Sequence, residues 1–417
     1  MRARPSWQAT TAVFLGTQVL SLVGTSLVQY ALMWYVTLET GSGLMMTLFI
    51  ICGFLPTFLL SPFAGVWADR YDRKRLIILS DGIIALITLA LALAFASGGK
   101  ALWLVFLASA LRAVGTAVQG PAVGAIVPQF VPSEHLMRVN GISGTLQSGI
   151  MLVSPVVSGA LVSLVPMHTV FLIDLVTAAI AIAVLALFLR VPPHARAEAS
   201  VKPSYFTDLR LGFRYVREHR YLVPFFVYLA LLMFLASPGA FLTPLQVTRT
   251  YGADVWRLTA IEVVFSAGMM IGGAALAAWG GFANRIHTMV LATFAIAALT
   301  VVLGLAPAFW LYLVAMGAFG LALPFFNTPS GVLLQDHVEG DYLGRVFSIL
   351  TMISTSIMPL GMLLFGPLAE LVRIEWMLVA TGVLMAGLGL GVLANRRLVE
   401  AGRKPAAPLP GRCPSPP

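Results

Sequence analysis

Four ionisable residues lie inside long apolar stretches of the sequence: Asp81, Arg112, Asp174 and Glu262. A charged side chain inside a membrane helix costs about 3 kcal/mol on insertion scales, so each of the four is a candidate functional residue. A carboxyl that faces water on each side in turn could carry protons, and Asp174 and Glu262 are the preferred candidates. The alternative is that both are water-accessible residues near helix ends and that Asp81 pairs with the nearby basic loop.

The other chemistry-bearing residues exclude common enzyme classes. The sequence has no H-E-x-x-H or G-x-S-x-G pattern, and Gly98-Gly99-Lys100-Ala101 lacks the first glycine and the Ser or Thr of a phosphate-binding loop. The six histidines fall in loops or at helix ends, where ordinary solvated histidines are expected. Cys52 and Cys413 cannot form a disulfide framework. We therefore expect no enzymatic activity, no bound metal and no cofactor.

The composition indicates which elements must position these residues. Hydrophobic residues make up 59% of the 417 residues and charged residues 10%, whereas a soluble domain has about 25% charged residues. Twelve membrane helices of about 20 residues each would use about 240 residues, which matches the apolar content. The net charge of +9 does not indicate nucleic-acid binding, because no basic soluble module is present. An all-α polytopic membrane protein is predicted.

Twelve apolar stretches are each long enough to cross the hydrocarbon core as a helix. They are Thr10–Val36, Leu44–Ala64, Leu76–Ala96, Ala101–Val127, Ile142–Val165, Thr169–Leu189, Val223–Val247, Leu258–Phe282, Met289–Ala306, Phe309–Leu334, Val346–Ala369 and Trp376–Ala394. With both termini on one side, that side carries 21 of the 26 Lys and Arg residues and the other side carries four. The positive-inside rule then places both termini in the cytoplasm, and we expect a bacterial inner membrane.

Short segments of the first half recur in the same order in the second half. Gly65 and Ala68-Asp69-Arg70 recur as Gly280 and Ala283-Asn284-Arg285, Glu134–Arg138 as Asp341–Arg345, and Gly159-Ala160-Leu161 as Gly366-Pro367-Leu368. Two pseudo-symmetric six-helix bundles are therefore predicted, with the solute between them near the middle of the membrane.

The predicted division of the chain is a first bundle at residues 1–190, a linker at 191–222, a second bundle at 223–395 and a disordered cytoplasmic tail at 396–417. The linker contains a predicted amphipathic surface helix at Tyr205–Arg220. Its apolar face comprises Phe206, Leu209, Phe213 and Val216. The tail is rich in proline, which is typical of disorder.

The most specific motif follows the second predicted span. Gly65, Asp69, Arg70, Arg73 and Lys74, which we call the gate motif, fit the pattern G-x-x-x-D-[RK]-x-G-R-[RK], with Asp72 in place of the inner glycine. Here the chain resembles the major facilitator superfamily, and Asp72 brings it closer to the macrolide-efflux and enterobactin-exporter branch. The resemblance implies that Asp69 meets the positive N-terminal end of span eleven and that the basic residues bridge neighbouring helices. Such contacts would hold the cytoplasmic side shut while the other side is open. The alternative is a positive-inside clamp with no gating role.

Two further segments resemble drug–proton antiporters of this superfamily. Arg112 is similar to the arginine of their fourth span that is implicated in coupling, although Gly115-Thr116 replaces the expected Gln–Gly pair. In the fifth span Gly141, Ser154, Pro155 and Gly159 resemble the motif G-x8-G-x3-G-P-x2-G-G, with Ile150, Ser154 and Ser158 at glycine positions. In the family this motif is associated with export.

These patterns together predict a secondary active transporter that works by alternating access. The resemblance implies export of an amphipathic small molecule, such as a drug, a macrolide-like compound or a siderophore, in exchange for protons. The alternatives are a nutrient or metabolite uptake transporter of the same fold, or a non-transporting sensor or assembly protein on a transporter scaffold. The expected partners are the small-molecule substrate, protons and the lipid bilayer, with no nucleic acid. The chain is expected to act as a monomer.

Overall fold

The computed structural model of the protein describes residues 6–99, 101–189 and 205–403, without the side chains at 69, 205–209, 340 and 341. Within these ranges twelve helical segments are long and apolar enough to cross a membrane, which confirms the predicted all-α polytopic class. The first six are α1 (Trp7–Thr40), α2 (Gly43–Arg70), α3 (Arg73–Ala96), α4 (Leu102–Ile126), α5 (Leu136–Leu164) and α6 (Met167–Phe188).

The linker and the second half supply the remaining helices. They are α7 (Tyr205–Glu218), α8 (Leu222–Phe241), α9 (Thr243–Thr250), α10 (Val255–Trp279), α11 (Arg285–Leu305), α12 (Phe309–His337), α13 (Gly340–Leu371), α14 (Ile374–Ala394) and α15 (Arg396–Ala401). Because the number of spans is even, α1 begins and α14 ends on the same membrane face, which we call the terminal face. The other face is called the opposite face.

The seventh predicted span, Val223–Val247, is not one continuous helix. Its helix α8 ends at Phe241 and α9 begins at Thr243. Pro244 lies in the first turn of α9, where a proline has no N–H to continue the preceding hydrogen-bond ladder. The break allows α9 to contact α1 of the first half at the opposite face.

Helix α7 packs on the second half, through α13 and α8. Tyr215 stacks on Tyr342 of α13 with ring centroids 4.5 Å apart, and both Tyr215 and Val216 are buried. Phe213, on the predicted apolar face, is 45% exposed within the protein and so can contact the membrane surface, as the predicted surface helix requires; that placement stays a prediction. The helix docks on the second half through its Tyr215 side, a neighbour that the sequence pattern did not indicate. The side chains of Phe206 and Leu209 lie outside the described part of the structure.

The chain after α14 is ordered further than predicted. The predicted tail began at residue 396, whereas Arg396–Ala401 forms helix α15. The N–H of Arg285 donates to the carbonyl of Gly402 at 2.8 Å, and Asn284 Nδ2 donates to the carbonyl of Val399 at 2.8 Å. These bonds hold the segment against the start of α11. Residues 404–417 lie outside the described part of the chain.

Among the described residues the two halves meet mainly through two helix pairs, α2 with α13 and α5 with α10, with a smaller contact between α1 and α9. Within the first half α2 packs on α4, α3 on α4 and α6, and α1 on α5 and α6. The second half repeats this with α10 on α12 and α11 on α12 and α14. This arrangement positions α1, α4 and α5 around the interior of the first half.

Candidate functional site

The gate motif lies at the terminal face, where α2 ends and α3 begins. Arg73 donates to the carbonyl oxygens of Ala68 in α2 and Ala125 in α4, each at 2.9 Å. Lys74 donates to two carbonyl oxygens at the terminal end of α6, at 2.9 and 2.8 Å. Basic side chains near the C-terminal ends of helices are favoured by the helix dipole. In this conformation the two residues therefore tie together helix ends of the first half.

The other gate-motif residues differ in environment. Asp72, which replaces the motif's inner glycine, caps α3 by accepting a hydrogen bond from the N–H of Arg75 at 3.0 Å. Gly65 and Arg70 are exposed, and a Cβ atom on Gly65 would meet no atom within 4 Å. The side chain of Asp69 lies outside the described residues, so its contact with span eleven stays a prediction.

The second-half equivalents of the motif lie between α10 and α11. Gly280 ends α10 with a φ of 78°, a backbone conformation that favours glycine. Asn284 caps α11 and accepts a hydrogen bond from the N–H of Ile286 at 2.9 Å. Asn284 therefore occupies the capping position in the second half that Asp72 occupies in the first half. Asp69, the residue predicted to be equivalent to Asn284, lies within α2 instead. The Arg285 Nε atom is 4.0 Å from the Asp336 carboxylate.

Arg112 and Asp174 form a buried ion pair inside the first half. The Arg112 Nη1 atom is 2.9 Å from Asp174 Oδ2, and the two residues are 5% and 1% exposed. Thr88 of α3 donates to Asp174 Oδ2 at 3.1 Å and accepts from Arg112. Gly24 of α1 provides the space, since a Cβ there would lie 2.6 Å from Asp174 Oδ1.

Asp81 belongs to a second polar cluster two helical turns from the first. Its Oδ1 atom accepts hydrogen bonds from Ser21 Oγ of α1 at 2.9 Å and from Gln119 Nε2 of α4 at 2.6 Å. Asp81 is seven residues before Thr88, and Gln119 is seven residues after Arg112. Because α3 and α4 are antiparallel, Thr88 lies level with Arg112, and Asp81 lies level with Gln119. The two levels are about 10 Å apart along the helices.

Glu262 lies apart from these clusters, in α10 of the second half. It is half-buried and interacts electrostatically with Tyr30 of α1 across the interface between the halves. Among the described residues, no three His, Cys, Asp or Glu side chains are grouped so that they could hold a metal. The expected absence of a metal and of a cofactor stays a prediction.

The antiporter-like residues of α5 divide between an exposed end and a packed end. Gly141 is exposed near the terminal face, and Ser154 and Pro155 are buried. Toward the opposite face, Gly159 contacts Thr259 of α10 so closely that a Cβ atom would overlap its side chain. Small residues permit such helix contacts, so this end of α5 is a packing surface between the halves.

A cavity of about 320 Å³ lies between α1, α4 and α5, toward the terminal face. None of the seventeen residues that line it is charged, and none of the four intramembrane ionisable residues is among them. Its polar wall includes four amide side chains, Gln18, Gln119, Asn140 and Gln147. The remainder is mostly aliphatic, as expected for a site that binds a small amphipathic molecule.

Arg249 of α9 and Glu370 of α13 form an ion pair within the second half, 3.4 Å apart, and each of them also bonds to the first half at the opposite face. Arg249 donates to the carbonyl of Gly41 at 2.7 and 3.1 Å and to that of Ala369 at 2.8 Å. Glu370 accepts from Ser42 Oγ at 2.7 Å and from the first turn of α2 at 3.2 Å. We call this group of residues the opposite-face latch.

Glycine environments differ between the two faces. Near the opposite face a Cβ on Gly43 would lie 2.5 Å from the Gly366 carbonyl, and one on Gly366 would overlap Thr47. Near the terminal face a Cβ on Gly124, Gly141 or Gly344 would meet nothing within 4 Å. The structure is therefore closed between its halves at the opposite face, and open space lies toward the terminal face.

The Major Facilitator Superfamily profile matches residues 14–353, which span both halves and the interior clusters. The chain belongs to the Major Facilitator Superfamily. It is therefore an MFS-type transporter with a multi-pass membrane fold.

Relatives of this MFS transporter include proteins named for efflux. Macrolide efflux protein A of Streptococcus pyogenes is 29% identical over 382 residues, covering 91% of this chain and 94% of that protein. The protein of the same name from Enterococcus faecalis is 31% identical over 324 residues, covering 77% and 100%. A solved bacterial homologue of the lysosomal transporter Spinster, in an inward-facing and unoccupied conformation, has a TM-score of 0.69 at 17% identity, covering 97% of this chain and 100% of that one.

Several interior residues of this MFS transporter carried no sequence signal strong enough to single them out. Gln18, Ser21 and Gln119 are uncharged, so the cost of intramembrane charge did not mark them. The signal that could have identified Gln119 is its spacing from Arg112. Gln119-Gly120 stands one turn beyond Gly115-Thr116, where the family pattern led us to expect a Gln–Gly pair.

Proposed function

We propose that this MFS transporter exports an uncharged or weakly charged amphipathic molecule of the macrolide type in exchange for protons, by alternating access. The observation that carries the proposal is the cavity between α1, α4 and α5, whose amide and aliphatic lining suits part of such a molecule. The efflux direction is supported by the relatives named for macrolide efflux, which match the chain over 77 to 91% of its length.

The proposed orientation places the terminal face in the cytoplasm of a bacterial inner membrane. Twenty-one of the 26 Lys and Arg residues fall on that side, which supports it through the positive-inside rule. With this orientation the latch closes the extracellular side, and the cavity is accessible from the cytoplasm. An exporter binds its substrate in this inward-open state. A fluorescent protein fused after Pro417 is expected to fluoresce, and alkaline phosphatase fused there to be inactive; the reverse pattern would overturn the orientation.

Transport is tested in everted membrane vesicles with radiolabelled erythromycin as the probe. Acidifying the vesicle interior should drive accumulation, and a protonophore should abolish it. Vesicles without the protein are the control. Accumulation that is unaffected by the protonophore would contradict proton coupling. No accumulation above the control would contradict macrolide export and favour uptake or a non-transporting role.

A further inference from the structure

Gln18 of α1 lines the cavity, and its side-chain nitrogen is buried there without a hydrogen-bond partner in the described part of the chain. The residue is 7% exposed, and no acceptor among the described residues lies within hydrogen-bond distance of its Nε2 atom. A buried donor without a partner is unfavourable. A rotation of the Gln18 side chain would bring this donor to an oxygen acceptor of a molecule that fills the cavity.

Gln119 of α4 lines the same cavity, and its side chain is oriented by a hydrogen bond to Asp81. Its Nε2 atom donates to Asp81 Oδ1 at 2.6 Å, and Ser21 Oγ donates to the same oxygen at 2.9 Å. An amide whose nitrogen is turned toward a carboxylate leaves its carbonyl oxygen for the other side. Gln119 therefore offers an acceptor to the same cavity that Gln18 lines.

We propose that Gln18 and Gln119 form a hydrogen-bonding site for the hydroxyl, ether or carbonyl oxygens of the transported molecule, and that Asp81 is a positioning residue whose protonation reverses the amide of Gln119. The proposal deepens the proposed function and rests on it for the nature of the ligand. The absence of charged residues in the cavity lining favours an uncharged, oxygen-bearing part of the ligand.

The proton balance of the reversal is simple. As a carboxylate, Asp81 only accepts hydrogen bonds, so Gln119 must present its N–H to it. When Asp81 binds one proton from solvent, one carboxyl oxygen becomes an O–H donor and the other stays an acceptor. In the proposed reversal Ser21 keeps the remaining acceptor oxygen, and the Gln119 carbonyl turns to accept the new O–H. The NH₂ group of Gln119 then faces the cavity. One proton thus changes the cavity from one acceptor and one donor to two donors, without movement of the backbone.

The charged groups around Asp81 are few. Asp174 of α6 is the titratable group that interacts with it electrostatically, and Arg112 of α4 is already paired with Asp174 at 2.9 Å. The only charged residue of α1 is Glu39, at the other end of that helix. Ser21 and Gln119 are the polar side chains in direct contact. A change in the protonation of Asp81 therefore acts directly on Ser21 and Gln119, and of these two Gln119 lines the cavity.

The reversal is tested without any ligand, by infrared spectroscopy of the purified full chain in lipid nanodiscs during a pH titration. The wild-type protein should gain the carbonyl band of a protonated carboxyl, which Asp81→Asn lacks. In the same pH interval a glutamine side-chain carbonyl band should shift, and Gln119→Leu should abolish that shift. Ser21→Ala should move the carboxyl band and keep the glutamine shift. A carboxyl band that titrates with no change in the Gln119 band would overturn the proposal.

The binding site is tested by equilibrium binding of radiolabelled erythromycin at a low and a high pH. Gln18→Leu should weaken binding about tenfold at both pH values, whereas Gln8→Leu, an exposed position of the same helix, should leave it unchanged. Asp81→Asn and Gln119→Leu should each remove the pH dependence of the wild-type affinity. Unchanged affinity in Gln18→Leu and Gln119→Leu would overturn the site. A wild-type protein that binds no erythromycin would instead contradict the proposed substrate, and the spectra decide the Asp81 reversal independently.

Discussion

The ion pair of Arg112 and Asp174 is stable only while both partners are present. Moving two charges from water into a protein interior costs several kcal/mol per ion, and their attraction offsets this when the geometry is good and the hydrogen bonds are complete. Here Thr88 bridges both side chains. Removal of one partner leaves an uncompensated buried charge, which typically costs about 3–5 kcal/mol.

We expect Arg112→Met and Asp174→Leu each to lower the thermal unfolding midpoint of the purified protein more than the double variant does. The measurement is a double-mutant cycle on the four proteins in nanodiscs. The control cycle uses Arg214→Ala and Glu218→Ala in α7, an exposed pair 2.8 Å apart, where coupling of about 0.5 kcal/mol or less is expected. Independent effects at residues 112 and 174 would contradict a mutually compensated pair.

The residue types predicted which positions carry buried polar side chains, but not which of these side chains pair with one another. The sequence marked Arg112, Asp174 and Asp81 because charge inside an apolar stretch is costly. It could not pair Arg112 with Asp174, because that contact depends on how α4 and α6 both pack against α3. Asp81 was weighed as a partner of the basic loop, whereas its observed partners are Ser21 and Gln119.

Among the helices, the opposite-face latch joins three helix ends from both halves. Arg249 donates to carbonyl oxygens at the C-terminal ends of α1 and α13, where the helix dipole favours a cation. Glu370 accepts from the N-terminal turn of α2, where the dipole favours an anion. The contacts are therefore specific for charge and for position, and they exist only while this face is closed.

We expect Arg249→Ala and Glu370→Gln to open the opposite face more often. The reporter is Thr259→Cys in a background without Cys52 and Cys413, because Thr259 is packed against Gly159 across the interface. A membrane-impermeant maleimide added at the opposite face should label it several times faster in either variant. The charge swap Arg249→Glu with Glu370→Arg should not restore slow labelling, since neither new side chain suits the helix end it would face.

Arg373→Ala is the matched control for the latch. Arg373 is near the same face, pairs with Glu375 at 3.5 Å and is well exposed, so labelling of Thr259→Cys should not change. If the latch variants label no faster than this control, the latch does not contribute to closure.

The crossing of α2 and α13 depends on glycine. A Cβ on Gly366 would overlap Thr47 and lie 2.9 Å from the Gly43 carbonyl, so Gly366→Val should separate the helices and raise the same labelling rate. Gly387→Val in α14 is the control, because a Cβ there meets nothing within 4 Å. Equal labelling rates in the two variants would show that this crossing does not hold the face closed.

Sequence predicted the spans well because about 20 consecutive apolar residues leave a membrane chain few alternatives to a helix. It missed the break at Leu242, where Pro244 interrupts a stretch whose composition stays apolar. It also missed α15, which is short and polar and is held by bonds from Asn284 and Arg285 rather than by its own pattern. The break thus has a local cause that hydropathy does not register, whereas α15 depends on packing.

At the scale of the whole molecule, alternating access requires the two halves to separate at the opposite face. Their closest contacts there are van der Waals contacts of small residues, a hydrogen bond from Thr47 to the Met362 carbonyl at 3.1 Å and the latch. Lipid tails provide no hydrophobic force between membrane helices. The close packing of small residues and a few polar contacts therefore hold this face closed.

A covalent bond across this contact should stop the cycle. A Cβ on Gly43 would lie 2.9 Å from the Cβ of Ala369, and a disulfide needs about 3.5–4.5 Å, so a small relaxation lets Gly43→Cys and Ala369→Cys join α2 to α13. Oxidation of this double variant should abolish erythromycin accumulation in everted vesicles, and reduction should restore it, while each single-cysteine variant is unaffected by the oxidant. Passage that continues in fully cross-linked protein would mean that the halves need not separate at this face, and the alternating-access proposal would be wrong.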